Sequence, residues 1–322
     1  MGHMIDGQWH IDEQLAKFEL GPFQRPASSF RHTLTADGGV DGFKAEPGRY
    51  HLYVSLACPW AHRTLIMRHL KGLTALISCS VTHWEMLEQG WNFASGPGVV
   101  ADPIHHAQAL YEIYRHANPH YTGRVTVPVL WDRQQATIVN NESSEILRML
   151  NGAFDQLGAA PGDYYPSALR AEIDAVNERI YHTLNNGVYR CGFAITQEAY
   201  DEAVTQLFDT LDWLEARLAQ QRFVAGAQLT EADIRLFPTL VRFDAVYHSH
   251  FKCLRQRIVE FPNLWGYVRD LYQQPAFGST VDLEHIRRHY FGSQRKVNPT
   301  GIVPVAYRMD FNAPQDRARR FG

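Results

Sequence analysis

The chain has 322 residues, of which 45% are hydrophobic and 20% charged, and its formal net charge is -3. This length favours two domains, and the composition favours a folded over a disordered protein. Interspersed charges near neutrality exclude the broad cationic surface that binds nucleic acid or anionic lipid. No stretch approaches the roughly 20 apolar residues of a membrane span, and no signal peptide is recognisable, so we expect a cytoplasmic protein.

The cysteines stand far apart in the sequence. They are Cys58, Cys79, Cys191 and Cys253. A chain of this size does not need disulfides, and such scattered cysteines favour a reducing compartment. Neither the cysteines nor the 16 histidines fall at a metal-ligand spacing, so we expect no metal site.

The first 45 residues contain Gly and Pro without sustained periodicity, which predicts an extended N-terminal arm rather than a domain. We interpret residues 1–3 as a cloning scar before Met4 and leave them out of the fold prediction. The arm carries aromatic side chains that we expect to pack on the rest of the protein. These are Phe18, Phe23 and Phe30.

A strand, a tight loop and a helix are predicted next. An apolar, β-rich run at 50–56 leads through Cys58 into helical spacing at 60–70. A second strand is predicted at 76–82 and a second helix at 107–116. Strands joined by a helix favour a parallel arrangement, so a βαβ unit is expected here.

A hairpin and a helical region complete the predicted fold. Strands at 125–131 and 137–140 flank a polar turn, and a helix follows at 141–150. Beyond a Gly- and Pro-rich linker, apolar residues recur at helical spacing at 169–184, 200–218, 232–246 and 264–272. The predicted divisions are an extension at 1–45, an α/β domain at 46–152, a linker at 153–165 and an all-α domain at 166–322.

Cys58 is the candidate nucleophile because it directly precedes a predicted helix. Unsatisfied N–H groups and the positive end of the helix dipole favour a thiolate there. A free cysteine has a pKa of about 8.5, so a modest shift would ionise much of such a thiol. Ala61 stands where a C-x-x-C motif has its second cysteine, so a mixed disulfide would await an external thiol. A buried structural cysteine is the alternative.

Two further segments suggest ligand binding. Pro128 begins a predicted strand, so we predict a cis peptide that presents the Val127 N–H and C=O to an extended ligand. An ordinary trans edge proline is the alternative. Glu142 and Ser143 open a predicted helix, where a hydroxyl and N–H groups can bind a carboxylate while the acid pairs with an ammonium. The alternative there is a plain N-cap.

Several motifs together resemble one enzyme family. They are YVSLACPWAHR at 53–63, TVPVLW at 126–131 and NNESSE at 140–145, followed by segments at 185–189, 229–235 and 285–291. This set resembles the glutathionyl-hydroquinone reductases, the Xi class of glutathione transferases. The resemblance implies a thioredoxin-like N-terminal domain joined to an all-helical C-terminal domain, in a homodimer formed through the helical domain.

The resemblance also implies a reaction. Glutathione would reduce an aromatic glutathionyl-hydroquinone without metal, flavin or nicotinamide, and thiol-transferase activity would accompany this reaction. Cys58 would attack the glutathionyl sulfur, and a second glutathione would release the mixed disulfide. Tyr189 and Tyr290 match substrate-site tyrosines of the family, whose hydroxyls can bond a ring oxygen and act as acids. Core or interface tyrosines are the alternative.

Other features leave alternatives open. Trp91 matches a tryptophan that covers glutathione in the family, and its flat face could exclude water. The loop after it supplies no arginine, so Arg124 is a candidate for binding the glycine carboxylate of glutathione. A conventional glutathione transferase, which normally activates glutathione through a serine or tyrosine hydroxyl, is one alternative function. A non-catalytic scaffold of glutathione-transferase type is the other.

Overall fold

The computed structural model describes residues 2–11 and 27–321, which form two compact units with a boundary between Gly162 and Asp163. Phe18 and Phe23 lie outside the described residues. Within the described residues, none of the helices combines the length and the apolar content needed to cross a bilayer.

A β-hairpin opens the first unit. Its strands are β1 (Gly2–Ile5) and β2 (Gln8–Ile11). The turn residues Asp6 and Gly7 have φ angles of 47° and 73°, the left-handed geometry that Asp-Gly favours in two-residue hairpins. Gly2 and His3, which the fold prediction left out, belong to β1.

Residues 27–45 are also more regular than an extended arm. Strands β3 (Leu34–Thr35) and β4 (Phe43–Lys44) pair in parallel. Phe30 packs on Tyr114 and Tyr121, with ring centroids 5.8 and 5.6 Å away, so the expected packing of this aromatic residue is confirmed. The arm therefore forms part of the first unit.

A four-stranded sheet in the order β6-β5-β7-β8 forms the centre of this unit. Its strands are β5 (Tyr50–Val54), β6 (Ser78–Val81), β7 (Val129–Asp132) and β8 (Thr137–Asn140). β5 pairs in parallel with β6 and antiparallel with β7, and β7 pairs antiparallel with β8. The predicted parallel βαβ unit and the predicted hairpin are confirmed.

Three helices belong to the same unit. They are α1 (Pro59–Leu70), α2 (Leu110–Ala117) and α3 (Ser143–Gly152). Pro59 occupies the first helical position of α1, where its missing N–H removes no helical hydrogen bond. Gly72, with φ of 63°, follows the end of α1 in the left-handed conformation that glycine favours after a helix.

Lys71 fixes the last residues of the first unit. Its side chain is buried, and Nζ donates to Asp155 Oδ1 at 2.9 Å and to the Gly162 carbonyl at 2.8 Å. A buried ammonium is tolerated only when such partners replace water. The segment that ends at Gly162 is thus held against the C-terminal end of α1.

The second unit is helical. Its helices are α4 (Arg170–Ile180), α5 (Gly187–Gly192), α6 (Gln197–Leu218), α7 (Glu231–Arg242), α8 (His248–His250), α9 (Pro262–Tyr272), α10 (Pro275–Gly278), α11 (Leu283–Ser293) and α12 (Arg317–Phe321). π-helical segments at Tyr181–Asn185 and Phe243–Tyr247 join α4 to α5 and α7 to α8. The four predicted helical stretches correspond to α4, α6, α7 and α9, whereas α11 was not predicted.

Asp233 fixes the start of α7. Its buried carboxylate accepts hydrogen bonds from Val224 N at 2.9 Å, Thr230 N at 2.9 Å and the Tyr267 hydroxyl at 2.8 Å. Thr230 and Asp233 form the capping box that the sequence predicts. One side chain therefore joins α7, α9 and the loop before α7.

We expect Asp233→Ala to lower the free energy of unfolding by about 3 kcal/mol, because four buried donors lose their acceptor. Urea denaturation followed by far-ultraviolet circular dichroism measures this difference. Asp209→Ala, which changes an exposed carboxylate on α6, is the control and should shift stability by less than about 0.5 kcal/mol. Equal stability of both variants would contradict the structural role of Asp233.

Candidate functional site

Loops of the first unit meet at one edge of the sheet. Because β5 runs parallel to β6 and antiparallel to β7, the carboxyl ends of β5 and β6 lie beside the amino end of β7. The carboxyl end of β8 reaches the same edge, because β8 runs antiparallel to β7. The register pairs are Val54 with Val81, Tyr53 with Val129, and Asn140 with Leu130. Pairing therefore brings together the segments that carry Cys58, Val127 and Ser143.

Cys58 is the N-cap residue of α1, as the sequence predicts. Its backbone is extended, with φ of -78° and ψ of 121°, and its side chain makes no capping hydrogen bond. The residue is 8% exposed, so it is largely buried but retains some access to solvent. All four cysteines are thiols. The sulfur thus lies at the amino end of a twelve-residue helix without being used to cap it.

Two neighbours act on this sulfur in opposite directions. The N-terminus of α1 favours a negative charge on Cys58. The Val127 carbonyl oxygen lies 3.6 Å from Sγ and accepts a hydrogen bond from the thiol, so it favours the protonated form. A thiol is a weak donor. Its contact with Val127 is the direct link between the nucleophile candidate and the strand that begins β7.

The Val127–Pro128 peptide bond is cis, so this prediction is confirmed. Both residues are buried, and β7 begins immediately after them at Val129. The Val127 backbone therefore lies beside Cys58, where the sequence analysis expected ligand-binding main-chain groups.

Glu142 is the N-cap of α3, so it has the capping role that was the alternative interpretation of this residue. Its Oε1 accepts hydrogen bonds from Ser144 N at 3.2 Å and Ser144 Oγ at 3.0 Å. Its Oε2 accepts one from Ser28 Oγ at 3.0 Å. These bonds hold the carboxylate at the start of α3, where it remains partly exposed. Capping does not prevent the other carboxylate lone pairs from binding an ammonium group.

Ser143 is buried at the first position of α3 and faces a cation that the sequence analysis did not select. Arg63 Nη1 lies 3.4 Å from Ser143 Oγ, and the guanidinium carbon lies 4.4 Å from the ring centroid of Trp60. Arg63 is buried as well. It lies on α1, five residues after Cys58, so it links the nucleophile's helix to Ser143. The sequence signal that could have identified Arg63 was its position in the motif at 53–63, which resembles the enzyme family.

Trp91 is buried in the long loop after β6, and backbone hydrogen bonds hold its surroundings. Leu110 N donates to the Trp91 carbonyl at 2.8 Å, and His83 N donates to the Asn92 carbonyl at 2.8 Å. Because His83 follows β6 closely, these bonds tie the loop to the carboxyl end of that strand. Trp91 therefore belongs to a fixed part of the first unit.

Arg124 does not share the burial of the other candidates. Its side chain is exposed, and its carbonyl accepts a hydrogen bond from the Tyr121 hydroxyl at 2.9 Å. Arg63 is the buried arginine near Ser143, whereas Arg124 remains a surface candidate.

Within the described residues, no group of three or more His, Cys, Asp and Glu side chains is placed to hold a metal ion.

Tyr189 and Tyr290 are brought together in the second unit, and Tyr247 joins them. The hydroxyls of Tyr189 and Tyr290 lie 2.6 Å apart, and those of Tyr247 and Tyr290 lie 2.9 Å apart. We call these residues the tyrosine trio. Burial raises the pKa of Tyr247 and Tyr290 well above that of an ordinary tyrosine, and the charge of an ionised Tyr189 raises both further. Tyr247 and Tyr290 therefore hold their protons at neutral pH.

Tyr247, like Arg63, is a functional candidate that was not predicted from the sequence. It ends the π-helical segment Phe243–Tyr247, whose wider turn changes the helical spacing used for the prediction. Phe251 packs on the trio, with a ring centroid 5.6 Å from that of Tyr247. A Cβ atom on Gly192 would lie 2.1 Å from the Phe251 ring, so a residue without a side chain is needed there. The local sequence signal for Tyr247 was its spacing from Phe251, because residues at i and i+4 lie on the same face of a helix.

Comparisons with known proteins cover both units. The family model described as the glutathione S-transferase N-terminal domain matches residues 57–153, and the one described as the C-terminal domain matches residues 197–270. Glutathionyl-hydroquinone reductase YqjG of Escherichia coli K-12 is 57% identical over 328 residues, covering 100% of both chains. Its glutathione-bound structure superposes with a TM-score of 0.92 at 55% identity, covering 99% of this chain and 100% of that chain.

Two further relatives agree. Glutathionyl-hydroquinone reductase PcpF of Sphingobium chlorophenolicum is 56% identical over 306 residues, covering 95% of this chain and 96% of the relative. The Xi-class glutathione transferase of Natrialba magadii has a TM-score of 0.94 at 48% identity, covering 99% of this chain and 98% of that chain. The thioredoxin-like unit and the helical unit are thus those of a glutathione transferase. The chain belongs to the glutathionyl-hydroquinone reductases, the Xi class of the glutathione transferases.

Proposed function

We propose that this protein uses glutathione to reduce aromatic glutathionyl-hydroquinones to hydroquinones, with Cys58 as the nucleophile. The observation that carries the proposal is the position of Cys58 at the amino end of α1, with its sulfur 3.6 Å from the Val127 carbonyl oxygen. Ala61 in place of a second cysteine leaves the resolving step to an external thiol. Family membership supplies the substrate class, because two close relatives are named for this reaction.

The first step is attack of the Cys58 thiolate on the glutathionyl sulfur. A new sulfur–sulfur bond forms, and the bond between sulfur and the ring carbon breaks. An aryl carbanion is a poor leaving group, so the ring first takes a proton on that carbon and becomes a ketone-like tautomer. The electron pair of the broken bond then moves to the ring oxygen, which is protonated to give the hydroquinone. Cys58 is oxidised and the ring carbon is reduced.

The second step regenerates the enzyme. A second glutathione, as thiolate, attacks the mixed disulfide and releases glutathione disulfide and the Cys58 thiolate. The proton from this second thiol balances the proton consumed at the ring. The same step alone accounts for thiol-transferase activity on small disulfides.

Glutathione would bind along the sheet edge that carries Cys58. We assign the Val127 backbone, next to Pro128, to the cysteinyl part of the tripeptide, because Val127 O lies 3.6 Å from Sγ. Ser143 and the N-terminus of α3 suit the γ-glutamyl carboxylate, and Glu142 suits its ammonium group. Trp91 would cover the bound thiol and exclude water. Arg124 stays our candidate for the glycine carboxylate.

The tyrosine trio suits the proton chemistry. Tyr189 and Tyr290, whose hydroxyls lie 2.6 Å apart, would bond the ring oxygens and supply protons. Burial raises the pKa of Tyr290, so this phenol keeps its proton until a substrate oxygen accepts it. A conventional glutathione transferase is disfavoured, because such an enzyme normally activates glutathione through a hydroxyl at the position held by Cys58. A scaffold without catalysis would not need a cysteine there.

We also propose a homodimer that forms through the helical unit, with glutathione and an aromatic glutathionyl-hydroquinone as the small-molecule partners. Sedimentation equilibrium measures the oligomeric state directly. The cytoplasm suits the mechanism, because Cys58 and the co-substrate glutathione must both be available as thiols.

We expect Cys58→Ala to lower the rate of glutathionyl-hydroquinone reduction by more than about 1000-fold, because the nucleophile is lost. Mass spectrometry after incubation with glutathione disulfide should show one glutathione adduct on the wild-type protein and none on the variant. Cys79→Ala is the matched control. Burial raises the pKa of the Cys79 thiol to about 11, so this variant should keep both the activity and the adduct.

The mechanism fails if Cys58→Ala retains full activity while folded. A folded wild-type protein that forms no adduct and turns over no substrate would favour the scaffold alternative. A panel of simple, chlorinated and isoprenoid glutathionyl-hydroquinones would then define the preferred ring, because pockets for aromatic rings discriminate weakly between related apolar groups.

We expect Ser143→Ala to raise the KM for glutathione by about 10-fold, because the carboxylate of the tripeptide loses a hydrogen bond close to Arg63. Steady-state kinetics with glutathione as the varied substrate measure this change. Ser167→Ala is the control. It changes an exposed serine of the second unit, so its KM should change by less than about 2-fold. Equal KM values for the two variants would remove Ser143 from the binding site.

A further inference from the structure

The hairpin formed by β1 and β2 packs on two segments of the first unit that carry proposed glutathione contacts. One segment is the loop after β6, which contains Trp91. The other contains Arg124 and leads to Val127. Both segments lie more than 70 residues from the hairpin in the sequence, so only the folded chain shows these contacts.

Trp9 of β2 joins the hairpin to the loop that carries Trp91. Its Nε1 donates a hydrogen bond to the Glu88 carbonyl at 2.8 Å. Its ring stacks on Tyr111 of α2, with centroids 5.0 Å apart and 16° between the ring planes. A Cβ atom on Gly90 would lie 2.9 Å from the Trp9 ring, closer than real Cβ atoms pack, so the ring lies directly on the loop backbone. Trp9 therefore fills the space between α2 and the residues just before Trp91.

β1 and the hairpin turn hold the second segment through backbone hydrogen bonds. Met4 N donates to the Gly123 carbonyl, and Gly123 N donates to the Met4 carbonyl, both at 2.9 Å. In the turn, Gly7 N donates to the Tyr121 carbonyl at 3.0 Å. Arg124 follows Gly123 directly. The hairpin thus fixes the backbone next to Arg124, although the side chain of this residue is exposed.

Such contacts affect ligand binding because they order the binding segments in advance. A segment that is already ordered loses less conformational entropy when a ligand binds. The bond from Leu110 N to the Trp91 carbonyl at 2.8 Å supports the loop from α2, and Trp9 supports it from the hairpin. Without Trp9, part of the binding free energy would be spent on ordering the loop.

We propose that Trp9 is a positioning residue for glutathione binding. It holds the Trp91 loop in the arrangement that receives the tripeptide, and the hairpin to which it belongs holds the segment of Arg124 in the same way. This inference rests on the proposed function, which assigns Trp91 and Arg124 to glutathione. Because Trp9 acts through the loop and not on the reacting sulfur, its loss should weaken binding and spare the chemical step.

We expect Trp9→Ala to raise the Kd for glutathione by about 10-fold, measured by isothermal titration calorimetry of the fully reduced protein. The KM for glutathione should rise by the same factor, and kcat should change by less than about 2-fold. Trp9→Phe keeps an aromatic ring on Tyr111 but loses the donor to Glu88, so its Kd should rise by less than about 3-fold. A purely structural role would lower the free energy of unfolding and leave the Kd of the folded protein unchanged.

Trp213→Ala is the matched control. It removes another partly buried tryptophan, which lies on α6 of the second unit with the Arg179 guanidinium carbon 4.3 Å from its ring centroid. Its Kd for glutathione should change by less than about 2-fold. An unchanged Kd in folded Trp9→Ala would overturn the inference, whereas a wild-type protein that does not bind glutathione would overturn the proposed function.

A second variant tests the contact from its other side. Tyr111→Ala removes the ring on which Trp9 stacks, so it should also raise the Kd for glutathione. Because both substitutions act through one contact, the double variant should exceed the weaker-binding single variant by less than about 2-fold in Kd. Effects that multiply in the double variant would show independent actions and would count against the inference.

Discussion

The proposed glutathione site depends on one constraint, which is that β5 pairs in parallel with β6 and antiparallel with β7. The carboxyl end of β6 and the amino end of β7 therefore both lie next to the carboxyl end of β5, where the chain leads into Cys58. A single-residue register shift would turn alternate side chains to the other face of the sheet. Backbone hydrogen bonds in the sheet centre, rather than contacts within the site, thus fix the approach of Val127 to the sulfur.

This arrangement gives Cys58 two opposing electrostatic neighbours. The α1 N-terminus stabilises a thiolate, and the Val127 carbonyl accepts a bond from the thiol at 3.6 Å. Under the proposed mechanism, a ligand that donates its own N–H to Val127 would satisfy this carbonyl and leave the helix terminus dominant. Binding of the tripeptide and ionisation of the nucleophile would then favour each other, as any linked equilibria must.

Local signals explain why much of the first unit was predictable. Cys58 and Pro59 form a helix start, and Val127–Pro128 carries a proline at an unusual strand position, so neighbouring residues determine both geometries. The Asp6-Gly7 turn was equally readable, but it was missed because the first 45 residues were interpreted as an extended arm. Arg63 was missed for another reason. Its approach to Ser143 joins residues 80 positions apart, and no short pattern encodes that distance.

The second unit was harder to predict in detail because the tyrosine trio depends on an irregular, π-helical segment. Tyr189, Tyr247 and Tyr290 come from three separate parts of the chain, and a π-helical segment changes the register before Tyr247. Period 3.6 predicts that such stretches are helical, but not which side chains converge. The family resemblance selected Tyr189 and Tyr290, whereas Tyr247 required coordinates.

Under the proposed mechanism, each unit supplies the groups for a different kind of chemistry. Sulfur exchange requires a nucleophile and a good leaving group, and Cys58 at the amino end of α1 would be that nucleophile. Release of a ring carbon additionally requires acids that keep their protons near neutrality, and burial in the helical unit produces such phenols. An exposed tyrosine would also be protonated at pH 7, but water would compete for its hydroxyl. Under the proposed mechanism, burial would matter chiefly because it keeps water away from these hydroxyls, so that they bond one another or a bound ring.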